Sequence, residues 1–100
     1  MIFITLLKKI EANPQLFLGA EKDLTRLRFL IEGYLICEAD NGKTEPMMLF
    51  EDFKSYFNSI YGLRSYYSYA DILRQETPSE EEAFDKFFEL FNQFLIHGKQ

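Results

Sequence analysis

Apolar side chains recur at steps of three and four residues along most of this 100-residue chain, and this spacing constrains the fold more than any other feature. Side chains at these steps share one face of an α-helix, so each run predicts a helix with one buried side. The pattern predicts an all-α fold, a compact single-domain bundle of four to five helices spanning residues 1–100. Its clearest run is the predicted inner face of the last helix: Phe84, Phe87, Phe88, Phe91, Phe94 and Leu95.

Interruptions of the spacing set the predicted limits of the helices. Asn13 and Pro14 end the first helix, because a residue before proline avoids the helical conformation. Residues 15–20 are too few for an element of their own and are interpreted as a packed connector. The composition of residues 40–43 predicts a turn, with a β-hairpin across it as the weaker alternative. The predicted helices are 1–12, 21–38, 46–61, 68–75 and 78–97.

Proline and glycine mark several predicted helix ends. Pro46 fits an early position of the third helix, and Gly62 fits the cap that ends it. The run Thr77–Glu80 fits a capping box with proline at the first helical position, and the acids there favour the positive end of the helix dipole. Gly33 lies inside the second helix, where it is interpreted as allowing close contact with another helix. Gly98 is the predicted stop of the last helix.

Composition favours a folded chain without disulfides or membrane segments. Hydrophobic residues make up 47% of it, with only five glycines and three prolines, so the chain can bury a core. One cysteine and one histidine exclude an intramolecular disulfide and a zinc site of the usual ligand types. The start, MIFITLLKKI, places its lysines after the apolar residues, the reverse of a signal peptide, and no run is long enough to span a membrane. We therefore expect a cytoplasmic protein without a membrane partner.

The residues that could support catalysis are few. His97 falls in the last turn of the last helix, where it is interpreted as a solvated or capping side chain. Cys37 follows apolar residues with no base beside it, so it is predicted to be a buried, inert thiol. Glu51 and Asp52 are adjacent on a predicted helix and point about 100° apart, which favours a solvated face over an acid–base pair. We expect no enzyme, no catalytic residue, no metal and no cofactor.

Charge is distributed unevenly along the chain. The net charge of −5 disfavours nucleic acid and anionic lipid as direct partners and favours a basic protein partner. Residues 40–53 carry −3 and residues 76–100 carry −4, whereas residues 54–75 carry +2. Two acidic segments therefore flank a segment rich in tyrosine.

Tyrosines in that middle segment have two interpretations. Tyr66, Tyr67 and Tyr69 show no clear burial pattern, and tyrosine offers a rigid contact surface that is enriched in protein interfaces. Ordinary core and rim packing remains the alternative for all three. The acidic run that begins at Glu80 has an alternative too, because acids at the start of a helix are expected from the helix dipole alone.

Three segments of the chain carry a resemblance to a known family. They are Ile10–Gly19 (IEANPQLFLG) followed by Leu24, Leu27 and Gly33–Tyr34, then Phe53–Leu73, and finally Phe87–Phe94. Together they resemble small helical immunity proteins of bacterial polymorphic-toxin and contact-dependent growth inhibition systems. Where such sequences often have a tryptophan in the middle segment, this chain has Tyr69. The resemblance implies a cytoplasmic inhibitor encoded beside its toxin, and it carries over no catalytic residue. The toxins of these systems are commonly nucleases, including tRNA-cleaving ribonucleases.

The predicted function is that of an immunity protein. It would bind the C-terminal domain of a cognate toxin, a basic nuclease, as a monomer in a 1:1 complex, without contacting nucleic acid itself. A helical adaptor or regulatory subunit for a cellular protein is the alternative, and a small enzyme would require a cleft around His97 or a carboxylate pair. The predicted toxin-binding residues are Asp40, Glu45, Glu51, Asp52, Tyr66, Tyr67, Tyr69, Asp71, Glu80 and Glu81.

Overall fold

A computed structural model describes residues 1–64 and 67–98 and shows an all-α fold. The fold class is confirmed, with six α-helices in the described residues where four to five were expected, and the β-hairpin alternative is wrong. A turn at residues 41–44 joins the third and fourth helices. The helices are α1 (Ile2–Ala12), α2 (Pro14–Leu18), α3 (Leu24–Asp40), α4 (Glu45–Tyr61), α5 (Tyr69–Glu76) and α6 (Glu80–Gln93), followed by a π-helical turn, Phe94–Gly98.

The additional helix, α2, occupies the segment that was predicted to be a connector. The Asn13 side chain accepts a hydrogen bond from the Leu16 backbone N–H at 3.4 Å, and Pro14 begins the helix with a preset φ angle. Gly19 then ends it with φ at +67°, a conformation that glycine adopts at little cost. The same Asn-Pro pair that stops α1 therefore starts a second short helix.

Side-chain caps also move two of the predicted helix starts. Asp23 accepts a hydrogen bond from the Arg26 N–H at 3.0 Å, so α3 begins at residue 24 and not at 21. Ser79 caps α6 by accepting from the Glu82 N–H at 3.1 Å. The capping box predicted at Thr77 is wrong, because the Thr77 hydroxyl donates to the Leu73 carbonyl at the end of α5.

Phenylalanine rings fill the centre of the bundle. Phe53 on α4 is fully buried, and its ring centroid lies 5.2 Å from that of Phe91 and 5.7 Å from that of Phe94. Edge-to-face and tilted pairs at such distances add to the stabilisation from burial. The predicted inner face of α6 is confirmed, since its phenylalanines are all buried and Leu95 is half-buried.

Helix α3 contacts α2, α4, α5 and α6. Two predictions about this helix are wrong. Nothing lies within 4 Å of a Cβ placed on Gly33, so the glycine makes no close helix contact within the described chain. Cys37 is exposed and not buried, because Leu35 takes the inward position of that apolar run. None of the helices in the described residues combines the length and the apolar character that a membrane span requires.

Candidate functional site

An acidic face lies on the outer side of α4 and consists of Glu45, Met48 and Asp52. Spacings of three and seven residues place these side chains on one side of the helix, and all three are exposed. Within the described residues, neither carboxylate takes part in an ion pair. Thr44 and Pro46 begin the helix beside this face, so the start of α4 fixes its position. The α4 acidic face thus presents two unneutralised charges around the exposed thioether of Met48.

Asp40 and Glu51 lie beside this face but not on it. Asp40 is exposed at the last position of α3, and the turn at residues 41–44 separates it from α4. Glu51 points about 100° away from Asp52 around α4 and forms an ion pair with Lys54 at 2.8 Å. The structure therefore places Asp40 at the end of α3 and the other predicted acids of residues 40–53 on α4, with Glu51 paired to Lys54 of its own helix.

A groove runs between α3 and α4 and is closed at its base by α5. It has two sections of about 180 and 310 Å³, which share Glu32, Lys54 and Tyr69. The cationic side chains along it each lie within 3.1 Å of a carboxylate oxygen. Asn58 and Ser68 add polar groups to its lining. The exposed apolar side chains of this α3–α4 groove are Ile36, Leu63 and Tyr67.

The prediction of Tyr69 as a toxin-binding residue is corrected, because its ring lies in the core and not on the surface. The residue is 8% exposed and packs against Phe50 and Phe87 with ring centroids 5.6 and 5.5 Å away. Its hydroxyl is buried without a hydrogen-bond partner in the described residues. Burial raises the pKa of this phenol, with a further contribution from the Glu32 carboxylate. Tyr69 is thus the floor of the α3–α4 groove.

The other two tyrosines have different positions. Tyr67 is 52% exposed on the wall of the groove, where a partner could reach it. Tyr66 lies outside the described residues. Of the predicted tyrosines, Tyr67 therefore offers the contact surface that an interface needs.

Asp71 and Glu80 are used inside the fold. Asp71 completes a capping box with Ser68, accepting from its N–H at 3.1 Å. Glu80 accepts hydrogen bonds from the Arg74 guanidinium at 2.7 and 2.8 Å and from the Leu24 N–H at 3.1 Å. The guanidinium, with help from the N–H, lowers the pKa of Glu80 despite partial burial. Glu80 therefore links α3, α5 and α6, whereas Asp71 stabilises the start of α5.

Glu81 lies on a third surface at the start of α6. Its carboxylate is 3.6 Å from Lys22, whose ammonium group lies closer to Asp85, at 2.8 Å. The hydrogen bond that the Lys22 ammonium donates to the Asp85 carboxylate is the main cause of the raised pKa of Lys22. The predicted toxin-binding set is therefore divided between the α4 side and the α6 start of the bundle.

The sequence did not single out Met48, Ile36 or Leu63. Met48 could have been found, because it lies off the apolar run of α4 and between two acids at helical spacing. Leu63 follows the helix and has no periodic signal, yet it is 79% exposed. His97 is exposed in the final π-helical turn, and the described residues contain no group of three or more His, Cys, Asp or Glu side chains that could hold a metal.

Comparison of this chain with protein-family models, with curated proteins and with solved structures finds no match.

Proposed function

We propose that this chain is an immunity protein that binds and neutralises a cognate secreted or contact-delivered toxin. The proposed toxin domain is a basic nuclease, with tRNA-cleaving ribonucleases among the candidates. The observation that carries the proposal is the α4 acidic face, whose Glu45 and Asp52 have no ion-pair partner in the described chain. The three-segment resemblance to immunity proteins supports it from the sequence.

Charge gives this surface a function in association. A nuclease presents a basic groove to phosphate groups, and an acidic protein is attracted to the same groove. Opposite fields can raise association rates to about 10⁸–10⁹ M⁻¹s⁻¹ at low salt. Speed matters for an inhibitor in the cytoplasm, because the toxin must be bound before it cuts nucleic acid.

Apolar contacts would then hold the complex. Met48 is 63% exposed between the two acids, and its flexible thioether adapts to the surface that it meets. Tyr67 and Leu63 on the groove wall offer further area, at 52% and 79% exposure. A standard interface buries about 800 Å² per partner, which the chain can provide without opening its core. Each chain would bind one toxin domain.

The first test is co-expression in bacteria of the toxin domain encoded beside this chain, with and without the chain. The proposal predicts growth arrest by the toxin alone, rescue by the chain and co-purification of a 1:1 complex. Nucleic acid from unprotected cells would show what the toxin cuts. Toxicity without rescue would contradict the immunity function.

The second test addresses the acidic face itself. The double variant Glu45→Gln/Asp52→Asn should lose about tenfold in affinity at low salt, equivalent to about 1.4 kcal/mol, and should show a weaker salt dependence. Glu21→Gln/Glu82→Gln is the matched control. Both residues are exposed and neither lies on α4, and the two substitutions remove the same number of negative charges. Equal affinity and equal salt dependence of the two double variants would refute the electrostatic part of the proposal.

A helical adaptor for a cellular protein is the second candidate function. The α3–α4 groove favours it, because its apolar wall and paired charges suit an apolar segment of any protein partner. Under this function, substitution of Leu63 by serine would abolish capture of a cellular protein, and the adjacent gene would not encode a toxin that the chain neutralises.

A further inference from the structure

Tyr69 keeps a polar group in the core that the fold itself does not use. The residue is 8% exposed, and its hydroxyl is buried without a hydrogen-bond partner in the described residues. Nearly all buried polar groups of folded proteins have a partner, so an exception calls for a physical explanation. Phenylalanine would fill the same space without an unpaired group. The hydroxyl therefore needs a partner from outside the described chain.

The Tyr69 hydroxyl lies on the groove side of its ring. The ring packs against Phe50 and Phe87 in the core. Burial is the main cause of the raised pKa of the phenol, followed by the Glu32 carboxylate and, in the opposite direction, by the Arg28 guanidinium. Both charged groups line the α3–α4 groove, and Tyr69 lines its two sections. An unpartnered hydroxyl thus lies at the floor of this groove.

The charged side chains of the groove are paired within the chain. Arg28, Lys54 and Arg64, the cations of its described lining, each lie within 3.1 Å of a carboxylate oxygen. Glu32 is the carboxylate that Arg28 holds, and its negative charge disfavours an anion beside the Tyr69 hydroxyl. A charged ligand would have to break one of these pairs. The groove therefore suits a neutral ligand.

We propose that the α3–α4 groove binds a small neutral molecule with an apolar body and a carbonyl oxygen, to which the Tyr69 hydroxyl donates a hydrogen bond. A phenol is a better donor than acceptor, because its oxygen shares electrons with the ring, and a carbonyl oxygen is an acceptor only. The larger section, of about 310 Å³, has the size of a small-molecule site. Phe57, Leu63 and Ile72 line that section and offer apolar contacts to the body of the ligand.

Flexible side chains control access to the hydroxyl. Glu32 and Lys54 line both sections together with Tyr69. Their side chains are long, and they are 46% and 42% exposed, so they can turn toward solvent while the core stays in place. This movement opens the floor of the groove to a ligand. Glu45 and Asp52 of the α4 acidic face are not among the lining residues, so the ligand site is separate from the charges of the proposed toxin contact.

Titration of the isotope-labelled chain with acetophenone, followed by its amide NMR resonances, tests the proposal. Acetophenone carries one carbonyl on an aromatic ring. Toluene is the matched probe, because it has the ring and the methyl group without the carbonyl. A probe of this size should bind with a dissociation constant of about 1 mM or weaker. The amide resonances of Asn58 and Ile72 in the groove should shift, whereas that of Glu11 on α1 should not.

The variant Tyr69→Phe distinguishes a binding hydroxyl from a structural one. It should weaken acetophenone binding at least about fivefold and leave toluene binding within about twofold, although the variant itself is more stable. Tyr67→Phe is the control, at a residue that is 52% exposed on the groove wall, and it should change neither affinity. Unshifted groove resonances with acetophenone would overturn the proposal, as would equal affinities of the parent and Tyr69→Phe or an equal loss for the two probes.

Discussion

Replacing Tyr69 by phenylalanine should stabilise the protein, although the residue is a core tyrosine. The hydroxyl is buried and has no hydrogen-bond partner in the described residues. Its removal leaves the ring in place against Phe50, Phe57 and Phe87, whose centroids lie 5.5 to 6.5 Å away. Tyr69→Phe thus deletes an unsatisfied polar group and keeps the aromatic packing.

The expected gain follows from the cost of an unpaired buried hydroxyl. Leaving such a group without a partner costs about 1–3 kcal/mol, so we expect the free energy of unfolding to rise by about 1–2 kcal/mol. For a domain of this size, each kcal/mol raises the melting temperature by about 4–8 °C. Urea unfolding followed by circular dichroism would measure the free energy, and a thermal melt would measure the temperature.

The pH dependence gives a second, independent readout. Burial raises the pKa of the Tyr69 phenol in the folded state, whereas in the unfolded state it ionises near pH 10. Above about pH 10 the unfolded state therefore binds fewer protons, and this residue lowers the stability by up to about 1.4 kcal/mol per pH unit. Below that pH both states keep the proton and the contribution of ionisation is constant. The advantage of Tyr69→Phe should grow between pH 10 and pH 11.

Tyr67→Phe is the matched control, because Tyr67 is 52% exposed and its hydroxyl is not among the buried, unpartnered groups of the described residues. This variant should change the free energy of unfolding by less than about 0.5 kcal/mol. A loss of stability of about 1 kcal/mol or more in Tyr69→Phe would refute the reasoning, since it would mean that the hydroxyl makes a hydrogen bond.

Two further predictions concern the fold. Glu80→Gln should lower the free energy of unfolding by about 1 kcal/mol, because it weakens the hydrogen bonds to Arg74 and to the start of α3; solvent screening keeps this loss small. The control is Glu81→Gln, whose side chain is 72% exposed, and it should have almost no effect when both variants are unfolded with urea. The pKa of Glu80 is lowered in the folded state, so its carboxylate stabilises the protein fully above about pH 4.3, and this stabilisation is lost as the pH falls through the folded-state pKa. The free energies of unfolding of the two variants should therefore converge in acid. Phe53→Ala should lower the free energy of unfolding by about 3–5 kcal/mol, because Phe53 is fully buried. Phe29→Ala, at a residue that is 59% exposed, should lower it by less than about 0.5 kcal/mol in dilute protein. Equal losses in the two variants would contradict the burial of Phe53.

Periodicity predicted the fold class and the core because both depend on spacing along a single helix. The inner face of α6 and the burial of Phe53 follow directly from steps of three and four residues. Helix ends were predicted less well, because several residues at a boundary can serve as the cap. Ser79 and not Thr77 caps α6, since the Thr77 hydroxyl is held by the last turn of α5. That choice depends on how two helices meet, which spacing along one helix does not contain.

The site was harder to predict for a related physical reason. Helical spacing shows which residues share a face, but whether that face is covered depends on where the other helices lie. Tyr69 has no periodic signal of burial and yet lies between Phe50 and Phe87, whereas Phe29 and Ile36 belong to a predicted amphipathic helix and are exposed. The neighbouring helices pack against the inner side of α3, and Phe29 and Ile36 on its outer side stay more than half exposed in the described structure. Apolar residues that exceed what one core can cover are the ones available for a contact with another protein.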